Sequence, residues 1–245
     1  MQEGYKLIKG FLSETQMCEL ELYVNRIHES WCERNSEFYN KKAINSAYLT
    51  DPKNMSPDER MHIFKLITSP MVNEQLTEIF QKDSARFLNT QLFFDPVRKA
   101  QKNYWHRDVQ YSQLSLEDQR EEVEHQVNNV VHFRIALRNE PGIELIPGTH
   151  QRWDTQEELE VRTQLNKKNS FNDLPGSEII KLDRGDLLMF SANIIHRGIY
   201  GNDRLALDIL FCKNDPYILK NLKKSCLPTK DELKELKHKF LFDQD

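Results

Sequence analysis

At 245 residues, with 38% hydrophobic and 29% charged residues spread in both signs, the chain can build a substantial core and does not read as disordered. A formal net charge of -4 and a pI near 6.1 supply no global electrostatic case for nucleic acid or an anionic membrane surface. No apolar run reaches the roughly 18 to 20 residues that span a bilayer, the start Met-Gln-Glu-Gly-Tyr-Lys lacks a signal peptide's order, and a cytoplasmic location is expected.

After a short apolar segment (Tyr5 to Leu12), Ser13 and Gln16 have the spacing of a capping box. Met17, Leu20, Val24, Ile27 and Trp31 then recur at helical spacing and predict an amphipathic helix over 14–32. A polar stretch with a short strand over 43–49 precedes two helix starts, Ser56-Pro57 and Ser69-Pro70, where serine caps and proline fits the first helical turn. From Ala85 the period changes to two. Leu88, Thr90, Leu92 and Phe94 fall on one face and Phe87, Asn89, Gln91 and Phe93 on the other, closed by Asp95-Pro96.

A basic turn (98–103) leads to Tyr104-Trp105-His106-Arg107-Asp108, which reads as extended and puts His106 and Asp108 on one face. Residues 112–126 are acidic and helical in pattern, a solvated face rather than a substrate lid. In the strand over 129–138, Val131, Phe133, Ile135 and Leu137 alternate with His132, Arg134, Ala136 and Arg138. Asn139-Glu140-Pro141-Gly142 fits a hairpin turn before the strand 143–146 and the Pro147-Gly148-Thr149-His150 corner. Residues 151–176 read as helix plus loop, and strands follow over 178–182, 186–190, 193–196 and 204–212. The stretch 215–245 is lysine-rich and helical, capped by Thr229 and Glu232, its lysines interleaved with acids as on a solvated face. Helices, then short strands, then helices make an α+β chain with a β-sandwich or barrel at its centre. A single domain over 1–245 is expected.

Cys18, Cys32, Cys212 and Cys226 form no Cys-x-x-Cys pair, so free thiols are expected. His28, His62, His125 and His238 lie in helical, charged contexts that suit packing or surface roles; His150 follows a turn, and His132 shares its face with Arg134. His106 and Asp108, with His196 in a second strand, offer two imidazoles and a carboxylate, a donor set suited to non-haem Fe(II). Arg204 follows His196 by eight residues.

The ordered series formed by Asn89-Thr90-Gln91-Leu92-Phe93-Phe94-Asp95-Pro96, Trp105-His106-Arg107-Asp108, Glu144-Leu145-Ile146-Pro147-Gly148-Thr149-His150, Arg184-Gly185-Asp186-Leu187-Leu188-Met189-Phe190, His196 and Arg204 resembles the phytanoyl-CoA dioxygenase-like family of Fe(II)- and 2-oxoglutarate-dependent oxygenases. The resemblance covers about residues 85–212. It implies a double-stranded β-helix, a cupin-like jelly roll, flanked by helices of 13–84 and 215–245. It implies His106, Asp108 and His196 as metal-binding and catalytic residues, Arg204 as the grip on the distal carboxylate of 2-oxoglutarate, and Gln91 as a further contact to that co-substrate. Arg197 is the other arginine nearby, but it directly follows a ligand and would point to the opposite face. Fe(II), 2-oxoglutarate and O2 are the implied cofactor and co-substrates, and hydroxylation with release of succinate and CO2 is the implied outcome. Asp108 argues against a halogenase, where a smaller residue leaves room for halide.

Tyr104, Arg107, Gln110, Tyr111, Arg134 and Trp153 are candidate substrate contacts by their place in the sequence. They suggest a small polar metabolite, with Arg134 suited to an anionic or amino-acid-like one. Desaturation, demethylation or oxidative cyclisation by the same iron chemistry is the alternative, as is a cupin-like metal-binding protein without oxygenase activity.

Overall fold

Serine and threonine caps set the helix starts. The computed structural model describes residues 1–126, 129–220 and 222–243. After strand β1 (Tyr5–Ile8), the Ser13 side chain accepts from the Gln16 backbone while the Gln16 side chain accepts from the Ser13 backbone, opening helix α1 (Glu14–Arg34). A short helix α2 (Ser36–Lys41) and strand β2 (Asn45–Ala47) follow. Ser56 and Ser69 then cap α3 (Pro57–Ile67) and α4 (Pro70–Thr77), each with proline inside its first turn. The stripes these helices bury, Met17, Leu20, Val24 and Ile27 on α1, Ile63, Phe64 and Ile67 on α3, Val72 and Leu76 on α4, share one core.

The rest of that core comes from one face of a sheet. Strands β3 (Ala85–Phe94), β4 (Val130–Ala136), β7 (Leu187–Ser191) and β9 (Leu205–Lys213) join β1 and β2 in the antiparallel order β1-β7-β4-β9-β3-β2. Val131, Phe133 and Ile135 of β4 and Leu205, Leu207, Ile209 and Phe211 of β9 face the helices. The alternate residues, among them His132, Arg134 and Asp208, face the other way and line a cavity. A second sheet, β6-β5-β8, comprises β5 (Glu140–Ile146), β6 (Glu178–Leu182) and β8 (Ile195–Gly198). Ile143, Leu145 and Leu182 of this sheet pack against Ala136, Leu188 and Phe190 of the larger one, closing one end of the sandwich with apolar side chains. The result is a mixed chain with a mainly antiparallel jelly-roll centre and flanking helices, as the sequence predicts.

Four local expectations need correction. A register shift between Phe87 and Asn89 in β3 returns Phe87 to the helix-facing core with Leu92 and Phe94, so strict alternation fails there. The turn at 139–142 is no hairpin: β4 pairs with β7 and β9 whereas β5 pairs with β6 and β8, so the turn carries the chain from one sheet to the other. The segment around His106 is not a regular strand. It makes a single bridge to His196 and enters a 3-10 turn at Asp108–Tyr111. The C-terminal stretch holds only α7 (Pro216–Leu219) and α8 (Lys230–Glu235), with 3-10 turns at Lys224–Cys226 and Lys239–Phe242. Residues 221 and 244–245 of that expectation lie outside the described residues. The acidic stretch does form a helix, α5 (Leu116–His125), and α6 (Gln156–Thr163) follows the corner at 147–150. All four cysteines are free.

Candidate metal centre

His106 and His196 are ninety residues apart in the chain and direct partners across a ladder. His106 N donates to His196 O at 2.9 Å and His196 N donates to His106 O at 3.0 Å. Just past the bridge, Asp108 N donates to Ala192 O at 3.0 Å, which turns the Asp108 side chain back over the two imidazoles. Trp105 is buried and anchors the segment through Nε1, which donates to Asn172 O at 2.9 Å.

His106, Asp108 and His196 each offer one ligand atom, and these atoms lie within 4.8 Å of one another. His106 Nε2 is 3.6 Å and His196 Nε2 is 3.8 Å from Asp108 Oδ1. Nδ1 of His106 lies 3.1 Å from Tyr104 O and Nδ1 of His196 lies 3.0 Å from Ile194 O, contacts that place the N–H on Nδ1 and leave both Nε2 lone pairs free. Burial disfavours the imidazolium of His106, and burial together with neighbouring His106 pushes His196 down to about 3. Burial opposes the charge on Asp108, but His132, His196 and His106 hold its pKa well below the usual carboxylate range. Two neutral nitrogens and an ionised oxygen crowded around one point repel each other unless a cation lies among them. The set fits a divalent metal ion.

His132 fixes the other carboxylate oxygen. Its Nε2 lies 2.7 Å from Asp108 Oδ2 and its Nδ1 lies 2.9 Å from Asp208 Oδ2, while its ring stacks on Phe190 at 4.5 Å and 7°. Burial alone would neutralise it; Asp208 and Asp108 override burial and raise it to about 10. Asp108 is thereby held by one oxygen and presents the other to the histidines. Asp208, on β9, thus supports the group through His132 and lines the same cavity.

The group opens into a cavity of about 630 Å³. Gln91 and Asp208 are cross-strand partners on its floor, and Arg134 is the partner of Asp208 on the other side. Arg134 reaches Glu140 from Nε and Nη2 at 3.1–3.2 Å, and Arg204 Nε lies 3.1 Å from Glu140 Oε2. Burial and neighbouring Arg134 pull Arg204 down to about 10, so it remains charged at neutral pH. The guanidinium sits near the rings of Phe93 and Tyr200, at 5.7 and 5.8 Å from their centroids. Tyr104 and Tyr111, their hydroxyls 3.1 Å apart, wall the metal side of the cavity, and Phe38, Lys42, Asn45, Gln101 and Tyr200 line it elsewhere.

Of the residues expected to meet substrate, Tyr104, Tyr111 and Arg134 line this cavity; Arg107, Gln110 and Trp153 do not. Arg107 is fully buried behind the ligand segment, donating to Asp154 Oδ1 at 2.7 Å, Thr149 O at 2.7 Å, Arg152 O at 3.1 Å and Asn193 O. Gln110 accepts from Arg162, and Trp153 stacks under Arg107 and Arg162. Each has a packing role away from the cavity. Arg197 also turns away, pairing Glu144 at 2.6 Å and Asp173 at 2.8 Å, with its guanidinium 4.4 Å above Trp105. Tyr200, which lines the cavity, and Glu140, which lies behind it paired with Arg134 and Arg204, are residues that the sequence does not single out.

The family model for phytanoyl-CoA dioxygenase (PhyH) matches residues 1–199 of the chain. A comparison with curated protein sequences gives no match. Among solved structures, the chain is similar to the apo form of EctD from S. alaskensis, with a TM-score of 0.59 and 14% identity over 92% of this chain and 77% of that one. It is similar to HygX from Streptomyces hygroscopicus with nickel and 2-oxoglutarate bound, at TM-score 0.58 and 14% identity over 86% and 83% of the two chains. It is also similar to SnoK, a non-heme alpha ketoglutarate dependent carbocyclase from nogalamycin biosynthesis, at TM-score 0.57 and 14% identity over 87% and 81%. Identities this low show a shared fold.

Proposed function

Because the chain belongs to the phytanoyl-CoA dioxygenase (PhyH) family and is a non-haem Fe(II)- and 2-oxoglutarate-dependent oxygenase using O2, we propose that it hydroxylates a small polar metabolite at the centre formed by His106, Asp108 and His196. The observation that carries this reading is the opening of that donor set into a cavity with the guanidinium of Arg204 on its wall. The two imidazoles and Asp108 would hold Fe(II). Arg204 would receive the distal carboxylate of 2-oxoglutarate, for which a planar cation suits paired hydrogen bonds, with Gln91 beside it. Fe(II) with 2-oxoglutarate and O2 supplies the oxidant that exchanges a substrate C–H hydrogen for hydroxyl as succinate and CO2 are released.

What the protein itself contributes is arrangement. His132 orients Asp108, Trp105 anchors the ligand segment, and the apolar contacts of Phe190, Leu188 and Ile143 close the inner end against water. The mouth, with Tyr104, Tyr111, Tyr200, Lys42, Asn45 and Gln101, favours a compact ligand bearing polar groups over a long acyl chain. Arg134 is matched by Glu140, so an anionic or amino-acid-like substrate would find its free cation in Lys42. The whole chain is read as one oxygenase domain. Among the described residues no helix is long and apolar enough to cross a membrane.

Adding Fe(II) and 2-oxoglutarate without oxygen should produce a visible charge-transfer band that Asp108→Ala abolishes. A folded wild-type protein without the band would overturn the assignment of these residues. With the band in hand, a metabolite screen for substrate-stimulated succinate release identifies the substrate. Product analysis then separates hydroxylation from desaturation, demethylation and ring closure.

A further inference from the structure

We propose that Glu140 and Gly198 are positioning residues that aim Arg204 at the distal carboxylate of 2-oxoglutarate, the first by anchoring its guanidinium and the second by leaving it room. The inference rests on the oxygenase reading above.

Arg204 and Glu140 come from different sheets. Arg204 immediately precedes β9 of the larger sheet, and Glu140 is the first residue of β5, where the chain has just crossed to the smaller one. Both are buried, at 3% and 4% exposure. Glu140 meets two guanidiniums with one carboxylate: Arg134 hydrogen-bonds both of its oxygens, while Arg204 approaches Oε2 through Nε alone. Among the described residues the Arg204 guanidinium donates no aligned hydrogen bond: its buried Nε meets Glu140 Oε2 as an ion pair at 3.1 Å, out of line for a hydrogen bond. The cluster keeps one positive charge in excess, and the terminal nitrogens of Arg204 carry it on the cavity wall. That is an edge shaped for a carboxylate.

Gly198 bounds the guanidinium on another side. A Cβ there would lie 2.6 Å from Nη1 and 2.8 Å from Nη2 of Arg204, well inside contact distance. Gly198 is not among the residues whose φ is left-handed, so the backbone makes no demand for glycine. Space for the guanidinium does. A carboxylate on one side and a missing side chain on the other therefore define where the Arg204 fork sits, and the rings of Phe93 and Tyr200 complete the frame.

The test is an anaerobic titration of Fe(II)-loaded wild type, Gly198→Ala and Glu140→Ala, read by the charge-transfer band and by the thermal shift each ligand induces. Two ligands are compared: 2-oxoglutarate, and 2-oxopentanoate, which has a methyl in place of the distal carboxylate. Gly198→Ala should raise the 2-oxoglutarate concentration for half-maximal band by about 10-fold or more, a loss of roughly 1.4 kcal/mol, with 2-oxopentanoate changed by less than about 2-fold. Glu140→Ala should move 2-oxoglutarate in the same direction. Should it not fold, as judged by near-ultraviolet circular dichroism, Gly198→Ala decides alone.

Equal losses for both acids would mean general crowding and overturn the proposal, as would unchanged 2-oxoglutarate binding. Tighter binding in Glu140→Ala would make Glu140 a mere opposing charge and would also overturn it. A wild-type protein without the band removes the oxygenase reading and this inference together, whereas a normal wild-type band with indifferent variants removes only the inference.

Discussion

Two clusters, each of two arginines and one acid, flank the group of His106, Asp108 and His196, and they are used in opposite ways. Arg107, Asp154 and Arg162 form one; Arg134, Glu140 and Arg204 form the other. Each sets two guanidiniums around one carboxylate, with side chains no more than 2% exposed. In the first, Arg107 spends its donors on Asp154 and three backbone carbonyls, while Arg162 pairs Asp154 and reaches Gln110. In the second, Arg134 is matched and Arg204 donates no aligned hydrogen bond among the described residues. Burying three charges is costly in either place, several kcal/mol per ion before pairing. The first recovers more of this, since Arg107 is saturated and Arg162 donates to Asp154 and Gln110, although Arg162 Nη2 meets Asp154 as an ion pair without an aligned hydrogen bond. It ties the His106–Asp108 segment to the corner at 149–154. The second leaves a cation facing the cavity. The lesson is that a buried arginine is read from where its donors end, not from its charge or burial.

The contrast can be broken most severely on the closed side. Asp154→Ala strands two buried guanidiniums and should cost about 3–5 kcal/mol of stability, seen as a lower urea midpoint. An undiminished midpoint would mean that the closed cluster is dispensable. A smaller effect should come from acid. Burial works against the Glu140 carboxylate, yet Arg134 and Arg204 hold its pKa below the ordinary value. A group lowered on folding stabilises above its unfolded pKa and loses that contribution as pH falls through its folded pKa. Wild type should therefore keep its neutral-pH advantage over Glu140→Gln down to about pH 5 and lose it progressively as the pH falls further. A pH-independent difference between the two urea midpoints would contradict this. The smallest change in stability belongs to the open side: Arg204→Leu should alter it by less than about 1 kcal/mol, since Glu140 keeps Arg134, while 2-oxoglutarate no longer stabilises the Fe(II)-loaded protein against heat. A large loss of stability in that variant would make the open cluster structural as well.

That His106, Asp108 and His196 come together is legible in the sequence because two histidines and an acid, the first pair two residues apart, suit one metal ion. The helix caps are legible for a different reason: their chemistry is local, and Ser13, Ser56, Ser69 and Thr229 each cap the helix they announce. Glu140 is hidden because Asn-Glu-Pro-Gly specifies a turn but not where the turn leads. Only the sheet pairing shows that it crosses the sandwich. The shift at Phe87 is hidden likewise, an extra residue being invisible to a pattern that counts by twos. Asp208 leaves a usable signal, an acid inside the apolar strand Leu-Ala-Leu-Asp-Ile-Leu-Phe, where an unpaired carboxylate would not be tolerated. Arg107 shows the risk of proximity as a guide: adjacent to His106 and Asp108 in sequence, it faces away from both.

The bridge between His106 and His196 has a further consequence. Because the two residues exchange both backbone hydrogen bonds, their separation is set by the pitch of an antiparallel ladder, about 5.5 Å between Cα atoms. The entropy of bringing together two points ninety residues apart is thus met by the folding of the sheets, before any ion arrives. The metal affinity of such a site reports the strength of the bonds to the ion, undiminished by the work of assembling a loop. The backbone serves as the ruler, and the ion need only fit the gap it measures.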